Sequence, residues 1–293
     1  MTKQFKKAAI IGVGLIGGSL ALTLRQKKLV ASITGIGRAG SANLELAKRM
    51  GVVDEVSHEI SEGVKGADLV IVAVPVRKIA SSIIKAISSL TAPCVITDVG
   101  SVKKAIILEV ERCIPAGIDF VPGHPIAGTE HSGVESAFIS LFQNRVCILT
   151  PTEKTNKAAV ETVKRMWEAT GSKVVTMDAA VHDRILSAVS HLPHIIAYTL
   201  VNAVADAGDG ALDALNYSAG GFRDFTRIAS SSPEMWVDIC AMNKGNIIEM
   251  IGKFEKTLAE LKKQLVADDF EGVKTSFEKA KHIRDSITPA LKK

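Results

Sequence analysis

His124 stands between Gly123 and Pro125, with a second proline at Pro122, so its imidazole is carried on a stiff segment. A histidine held this way suits general-base work, because its ordinary pKa lies near neutrality. The alternative is a loop histidine satisfied by its neighbours. Earlier in the chain, Thr97-Asp98-Val99-Gly100-Ser101 closes an apolar run and opens a helix. Ser101 can hold a hydroxyl against a ligand there, or it can cap the helix, and Asp98 can cap the turn. Further on come Ser190-His191-Leu192-Pro193-His194 and Gly220-Gly221-Phe222-Arg223-Asp224-Phe225-Thr226-Arg227. Arg223 and Arg227 are one helical turn apart beside glycines. Either can clamp a carboxylate through paired hydrogen bonds, or pair with Asp224 or another acid. His191 and His194 could share a helix face, yet neither a third ligand nor H-E-x-x-H accompanies them, so zinc is not expected. G-x-S-x-G is missing, which leaves a serine hydrolase unsupported. Trp236, after Pro233, reads more readily as core than as ligand wall.

A second chemistry lies near the start. Gly12-Val13-Gly14-Leu15-Ile16-Gly17 is G-x-G-x-x-G after an apolar run and before a helical pattern. The first glycine makes the tight turn, the second lets a pyrophosphate approach, and the third lets helix and strand pack closely. The helix N-terminus, with Leu15 and Ile16 in its first turn, faces the phosphates. In this context the motif predicts dinucleotide binding. An acidic residue about 20 positions on would hold the ribose 2′-hydroxyl of NAD. Instead the second strand ends at Arg38, with Ser41 nearby and no carboxylate. Arginine at that tip suits a 2′-phosphate and points to NADP, unless Arg38 is a solvated charge or stacks on adenine. Asp98, at the carboxyl end of a later strand, is grouped with the cofactor residues.

Those residues need a scaffold, and the apolar rhythm supplies one. Strand patterns at Lys7–Gly12, Val30–Gly37, Ala67–Val76, Cys94–Asp98, Phe120–Val121, Val146–Leu149 and Lys173–Thr176 alternate with helical patterns at 15–25, 43–50, up to Leu90, 102–114 and 155–170. This predicts βαβ units in a mainly parallel sheet. After Met177 the spacing is helical only, with Pro193 expected to kink or break the first helix. The expected fold is α/β: a dinucleotide-binding domain over 1–177, then an all-α substrate and dimerisation domain over 178–293. At roughly 150 residues per domain, 293 residues match two. Hydrophobic residues make up 47% and aromatics only 4%, which suits helices on a parallel sheet and excludes global disorder. Net charge is +5, with no basic block to track nucleic acid. Four scattered cysteines read as thiols in a reducing compartment. Lys3, Lys6 and Lys7 before the apolar run Ala8–Leu24 imitate a signal peptide, but the glycines give that run its own meaning. With no other span of membrane length, a soluble cytoplasmic protein is expected.

Taken in order, Gly12–Gly18, Asp98-Val-Gly-Ser101-Val-Lys103, Gly123-His124-Pro-Ile-Ala-Gly-Thr-Glu130, Ser190-His-Leu-Pro-His194 and Asp224-Phe-Thr-Arg227 resemble the prephenate dehydrogenases, a family that includes arogenate and cyclohexadienyl dehydrogenases. The likeness spans nearly the whole chain. It implies an NAD(P)+-dependent oxidative decarboxylation, with His124 as the base at the ring hydroxyl and Ser101 orienting that hydroxyl. It also implies Arg227 on the side-chain carboxylate and His194 near the pyruvyl group, with Trp236, Glu130 and Asp183 shaping or gating the pocket. Tyrosine as inhibitor and a homodimer follow from the same resemblance. Prephenate is favoured, with L-arogenate open. Two domains occupy all 293 residues, so no separate regulatory domain is expected and feedback would act at the active site. The competing expectations are another two-domain dehydrogenase, acting on a β-hydroxyacid or an imine, and a nucleotide-sensing regulator.

Overall fold

In the first strand, β1 (Phe5–Ile11), Ala8 and Ile10 point to one side, Ala9 and Ile11 to the other, and all four are buried. Period-two alternation with both faces apolar is the mark of a central strand covered by helices on each side. The computed structural model describes residues 4–91, 93–129, 131–206 and 217–291 and bears this out. β1 pairs in parallel with β2 (Val30–Ile36) and with β4 (Leu69–Val72). The sheet is completed by β3 (Glu55–Ser57), β5 (Cys94–Asp98) and β6 (Ile118–Val121), in the order β3-β2-β1-β4-β5-β6. One core packs α1 (Leu15–Gln26) and α6 (Lys157–Ala169) against Ala8, Ile10, Leu69 and Ile71. The other packs α4 (Val76–Ile87) and α5 (Lys104–Val110) against Ala9, Val70, Val72 and Ile96. Fully burying such aliphatic side chains stabilises by about 1.5–3 kcal/mol each. Two short helices, α2 (Ala42–Arg49) and α3 (Ile60–Gly63), flank β3.

Two expectations about the strands need correction. Val146–Leu149 (β8) and Lys173–Thr176 (β9) do form strands, but they stand in a separate three-stranded sheet with β7 (Gly123–Pro125). β7 runs antiparallel to β8, with His124 opposite Ile148. Pro122 has no N–H to continue the ladder of β6, so the chain leaves the main sheet there, and Pro125 is tolerated because β7 is an edge strand. His124 is therefore a strand residue and not a loop residue. The strand β3 went unread because it is only three residues long.

After Thr176 only helices follow. α7 (Ala179–Leu186) runs into a π-helical turn at Ser187–His191 and continues as α8 (Leu192–Ala205). The regular α-helix is interrupted just before Pro193, by that π turn, while the helical run as a whole continues. Pro193 sits in the first turn of α8, and the widened turn before it absorbs the missing N–H. By length and composition Ala179–Ala205 could cross a membrane. It buries His182, Asp183 and His191, however, so it is a helix of the folded chain. Next come α9 (Gly220–Thr226), a 3-10 turn (Arg227–Ser230) and α10 (Pro233–Met242), which packs on α4. Residues up to Lys244 form one compact unit. Residues 245–293 form a second, made of α11 (Lys244–Val266) and α12 (Phe270–Leu291).

Candidate active site

The strand order reverses between β1 and β4, and a crevice opens beyond their carboxyl ends, where open α/β sheets bind ligands. A cavity of about 580 Å³ lies there, walled by Gly12–Gly14 after β1, Gly37 and Arg38 after β2, and Ala73–Pro75 after β4. The three glycines are required for three different reasons. Gly12 has φ +94°, and a Cβ there would lie 2.3 Å from the Ala73 carbonyl oxygen. At Gly17 a Cβ would lie 2.1 Å from the Gly12 oxygen, whereas at Gly14 it would meet open space. Gly18 is the first residue of α1 to donate back, to the Gly14 carbonyl. The amides of Leu15, Ile16 and Gly17 before it have no intrahelical acceptor. Unpaired N–H groups above an open glycine fit a dinucleotide pyrophosphate. At the far end of the cavity Arg38 and Ser41 are joined by His58, Lys78 and Lys85. Lys78 and Lys85, seven residues apart, share a face of α4. Glu59 offsets part of this charge by pairing with Lys85 at 3.0 Å. Ser41 also caps α2, accepting from the Leu44 amide.

Asp98 does not reach this cavity. Its carboxylate is 0% exposed and accepts from the Gly100 and Gly123 amides and from Lys103 Nζ. Lys103 Nζ also donates to the Gly123 carbonyl, at 2.8 Å. The buried ion pair thus grips both polar groups of Gly123, just before His124. Burial pulls the Lys103 pKa down while Asp98 pulls it up. Removing one partner of such a pair costs about 3–5 kcal/mol, since the other charge is left buried alone.

The His124 side chain is held from the helical side. Its Nδ1 lies 2.8 Å from His182 Nε2, and His182 Nδ1 lies 2.8 Å from Asp183 Oδ1. Asp183 also accepts from the Lys103 and Lys104 amides, at 2.8 and 3.0 Å. An ionised carboxylate only accepts, so the network assigns the tautomers: His182 Nδ1 donates to Asp183, His124 Nδ1 donates to His182, and His124 Nε2 keeps its lone pair. Burial, then the neighbouring His182 and Lys103, hold the His124 pKa well below its usual value.

His124 lines a second cavity of about 440 Å³ together with Thr129, Ser190, His194, Arg227 and Ser231. Arg227, and not Arg223, reaches it; Arg223 is exposed, with Nε 3.5 Å from the Ser218 hydroxyl. His194 donates its Nδ1–H to the Ser190 carbonyl at 2.9 Å and stacks on Trp236, ring centroids 3.9 Å apart. Trp236 stands behind His194 in the core, so it supports the cavity wall without forming it. His191 turns away, its Nδ1 3.1 Å from Asn243 Nδ2, and its pKa is lowered to about 4, chiefly by burial. Ser101 is half-buried, is not among the residues lining this cavity, and its hydroxyl has no hydrogen bond among the described residues. It does not cap α5, whose N-cap is Lys103. Glu130 lies outside the described residues. His182 and Lys103 were missed as site residues, because their pairing with His124 and Gly123 is made through space.

The chain matches two family models, the prephenate dehydrogenase nucleotide-binding domain over residues 20–176 and the prephenate dehydrogenase dimerization domain over 178–279. It is 37% identical over 286 residues to a prephenate dehydrogenase of Bacillus subtilis, covering 97% of this chain and 77% of that protein. It is 34% identical to a cyclohexadienyl dehydrogenase of Zymomonas mobilis, covering 96% and 95% of the two chains. A crystal structure of the prephenate dehydrogenase of A. aeolicus, in complex with hydroxyphenyl propionate and NAD+, superposes with a TM-score of 0.90 at 37% identity, over 96% of this chain and 98% of that one. A glycine cradle at the sheet's switch point, a histidine and an arginine lining one cavity, and matches to both family domains agree: the chain belongs to the prephenate dehydrogenase family of NAD(P)-dependent dehydrogenases.

Proposed function

We propose that this chain catalyses the oxidative decarboxylation of prephenate to 4-hydroxyphenylpyruvate in tyrosine formation, with L-arogenate as the alternative substrate. One observation carries the reading: His124, His194 and Arg227 converge on a single cavity although the chain separates them widely. Prephenate has a ring hydroxyl, a ring carboxylate and a pyruvyl side chain. His124 Nε2, left with its lone pair, accepts the hydroxyl proton. Arg227 clamps the side-chain carboxylate with its planar fork, and His194 faces the adjoining keto group. Ser101 orients the hydroxyl, and Asp183 holds the base in place through His182. A bound nicotinamide is the hydride acceptor for the hydroxyl carbon. As that carbon becomes a carbonyl, the ring carboxylate leaves as CO₂, its bonding electrons complete an aromatic ring, and the resulting phenolate oxygen takes back the proton held on His124. Aromatisation makes the reaction effectively irreversible.

For the cofactor, Gly12, Gly14 and the amides of Leu15, Ile16 and Gly17 hold the pyrophosphate. Arg38 and Ser41, supported by Lys78 and Lys85, suit a 2′-phosphate and favour NADP+. Residues 1–177 hold the nucleotide and supply His124 and Ser101 to the substrate, and 178–293 supply the rest of the substrate site and a homodimer. L-Tyrosine keeps the ring hydroxyl and side-chain carboxylate, so it fits the same cavity as a competitive inhibitor.

Initial rates of nicotinamide reduction test this reading, with prephenate and L-arogenate each paired with NAD+ and NADP+. Turnover of prephenate with the higher kcat/KM for NADP+ is expected. Absence of turnover with either substrate would sink the reading, and a strong NAD+ preference would sink the part assigned to Arg38.

A further inference from the structure

Asn43, the second residue of α2, commits its side chain to two distant backbone groups. Its Nδ2 donates to the Val13 carbonyl at 2.6 Å, and its Oδ1 accepts from the Val134 amide at 2.6 Å. A carbonyl can only accept and an amide N–H can only donate, so the carboxamide has one orientation and uses both ends. Val13 stands between the first two glycines of the nucleotide cavity. Its peptide to Gly14 is planar and trans, so holding the Val13 carbonyl fixes the Gly14 N–H on the opposite side. Val134 begins a strap of two 3-10 turns, Val134–Ser136 and Ile139–Phe142, laid against α1. The Ser19 hydroxyl accepts from the Phe138 amide at 3.0 Å, and Thr23 donates to the Ile139 carbonyl at 2.9 Å. Strap and helix are so close that a Cβ at Gly18 would lie 3.0 Å from that of Ala137. This accounts for a glycine that the pyrophosphate motif does not require. Upstream of the strap, residues 124–129 line the second cavity without a break, and Thr129 is five positions from Val134. Among the described residues, the Asn43–Val134 bond is the one hydrogen bond joining a residue of the nucleotide cavity to segment 126–142.

We propose that Asn43 is a positioning residue for both ligands: its carboxamide ties the glycine turn that receives the nucleotide to the strap that anchors the 124–129 wall of the substrate cavity. This deepens the reading above and rests on it, since it takes the first cavity for the nucleotide and the second for prephenate. Asn43 lines the first cavity and not the second. Its effect on the substrate therefore travels through Val134 and the wall before it. The near end of that wall is held separately, by the Lys103–Asp98 grip on Gly123 and by His182 on His124. Loss of the carboxamide should loosen the far end, at Thr129, and leave the base in place. Aspartate cannot do the same work, because it would accept from Val134 but set an oxygen against the Val13 carbonyl.

Asn43→Leu keeps the side-chain volume and removes both hydrogen bonds. Nucleotide affinity is read by fluorescence titration, and prephenate KM and kcat by initial rates at saturating nucleotide. Nucleotide affinity should fall and prephenate KM rise, each by about two- to tenfold, the worth of a single net hydrogen bond, while kcat stays within about twofold of wild type. Thr23→Val is the comparison, because it frees the other end of the strap at Ile139. It should lower the unfolding midpoint without moving either ligand constant, which separates positioning from mere stability. An unchanged nucleotide affinity or an unchanged prephenate KM in Asn43→Leu would overturn the proposal. So would the same changes in Thr23→Val, or a loss confined to kcat. Should Asn43→Leu fail to fold, Asn43→Ser, too short to span both groups, is read in the same way. Absence of prephenate turnover by the wild-type enzyme would instead overturn the reading of the two cavities.

Discussion

A histidine acts as a base only if the nitrogen facing the substrate is unprotonated, and for His124 that condition is set at His182 and Asp183. Replacing His124 with Asn should lower kcat by about 10²–10⁴-fold, the usual worth of a positioned base. Nucleotide binding, followed by fluorescence titration, should be nearly unchanged. The depressed pKa has a definite sign: the basic form persists below the ordinary histidine value, so kcat/KM should stay level as pH falls through 6.5 and drop only in more acidic solution. A pH–rate profile checks this. His182→Leu leaves His124 Nδ1 without its acceptor, so kcat should fall about tenfold or more with KM little altered; equal kcat would show that the relay does not matter. His124 was legible in the sequence because its glycine and proline neighbours restrict it, whereas the spacing left Arg223 and Arg227 equally open and only the family resemblance favoured Arg227. His182 was not legible, since nothing local marks a histidine 58 positions away as a partner.

Elements can be tested through the glycines and the π turn. Gly17→Ala forces a Cβ against the Gly12 carbonyl and should destabilise the strand–helix packing itself, seen as a lower unfolding midpoint. Gly14→Ala places the methyl in open space, so the fold should hold while nucleotide affinity falls. The reverse pattern would contradict the assigned roles. In the π turn, His191 titrates at about 4 in the folded chain and near 6.5 when unfolded. The unfolded state therefore binds the proton first, and stability is lost as pH falls from about 6.5 toward 4, by about 3 kcal/mol in all. Urea unfolding of His191→Gln should show a correspondingly smaller acid loss than the wild type. The alternation of strands and helices was readable because buried parallel strands are continuous apolar runs. The membership of β8 and β9 in a second sheet was not, because pairing partners are chosen by where Pro122 turns the chain.

At the scale of the whole molecule, the second unit leaves a stripe of apolar side chains uncovered. Phe254, Leu258 and Leu265 recur at helical spacing on α11, and Phe277 and Ile283 are exposed on α12. A helix keeps such a stripe for a partner surface, and with the family's dimerization domain matched, a second copy is the occupant expected. Leu258→Glu should shift the molar mass measured by light scattering toward the monomer; an unchanged dimer would place the interface elsewhere. The sequence by itself determined the α/β-then-helical order, the glycine cradle and the family, since these rest on local periodicity and contiguous motifs. Only the tertiary structure decided that Asp98 is locked onto Lys103 and does not line the glycine-walled cavity, that Arg227 and not Arg223 reaches the second cavity, and which nitrogen of His124 is free. Those outcomes depend on hydrogen bonds and ion pairs between segments far apart in the chain, and no local pattern encodes which distant partner a side chain will meet.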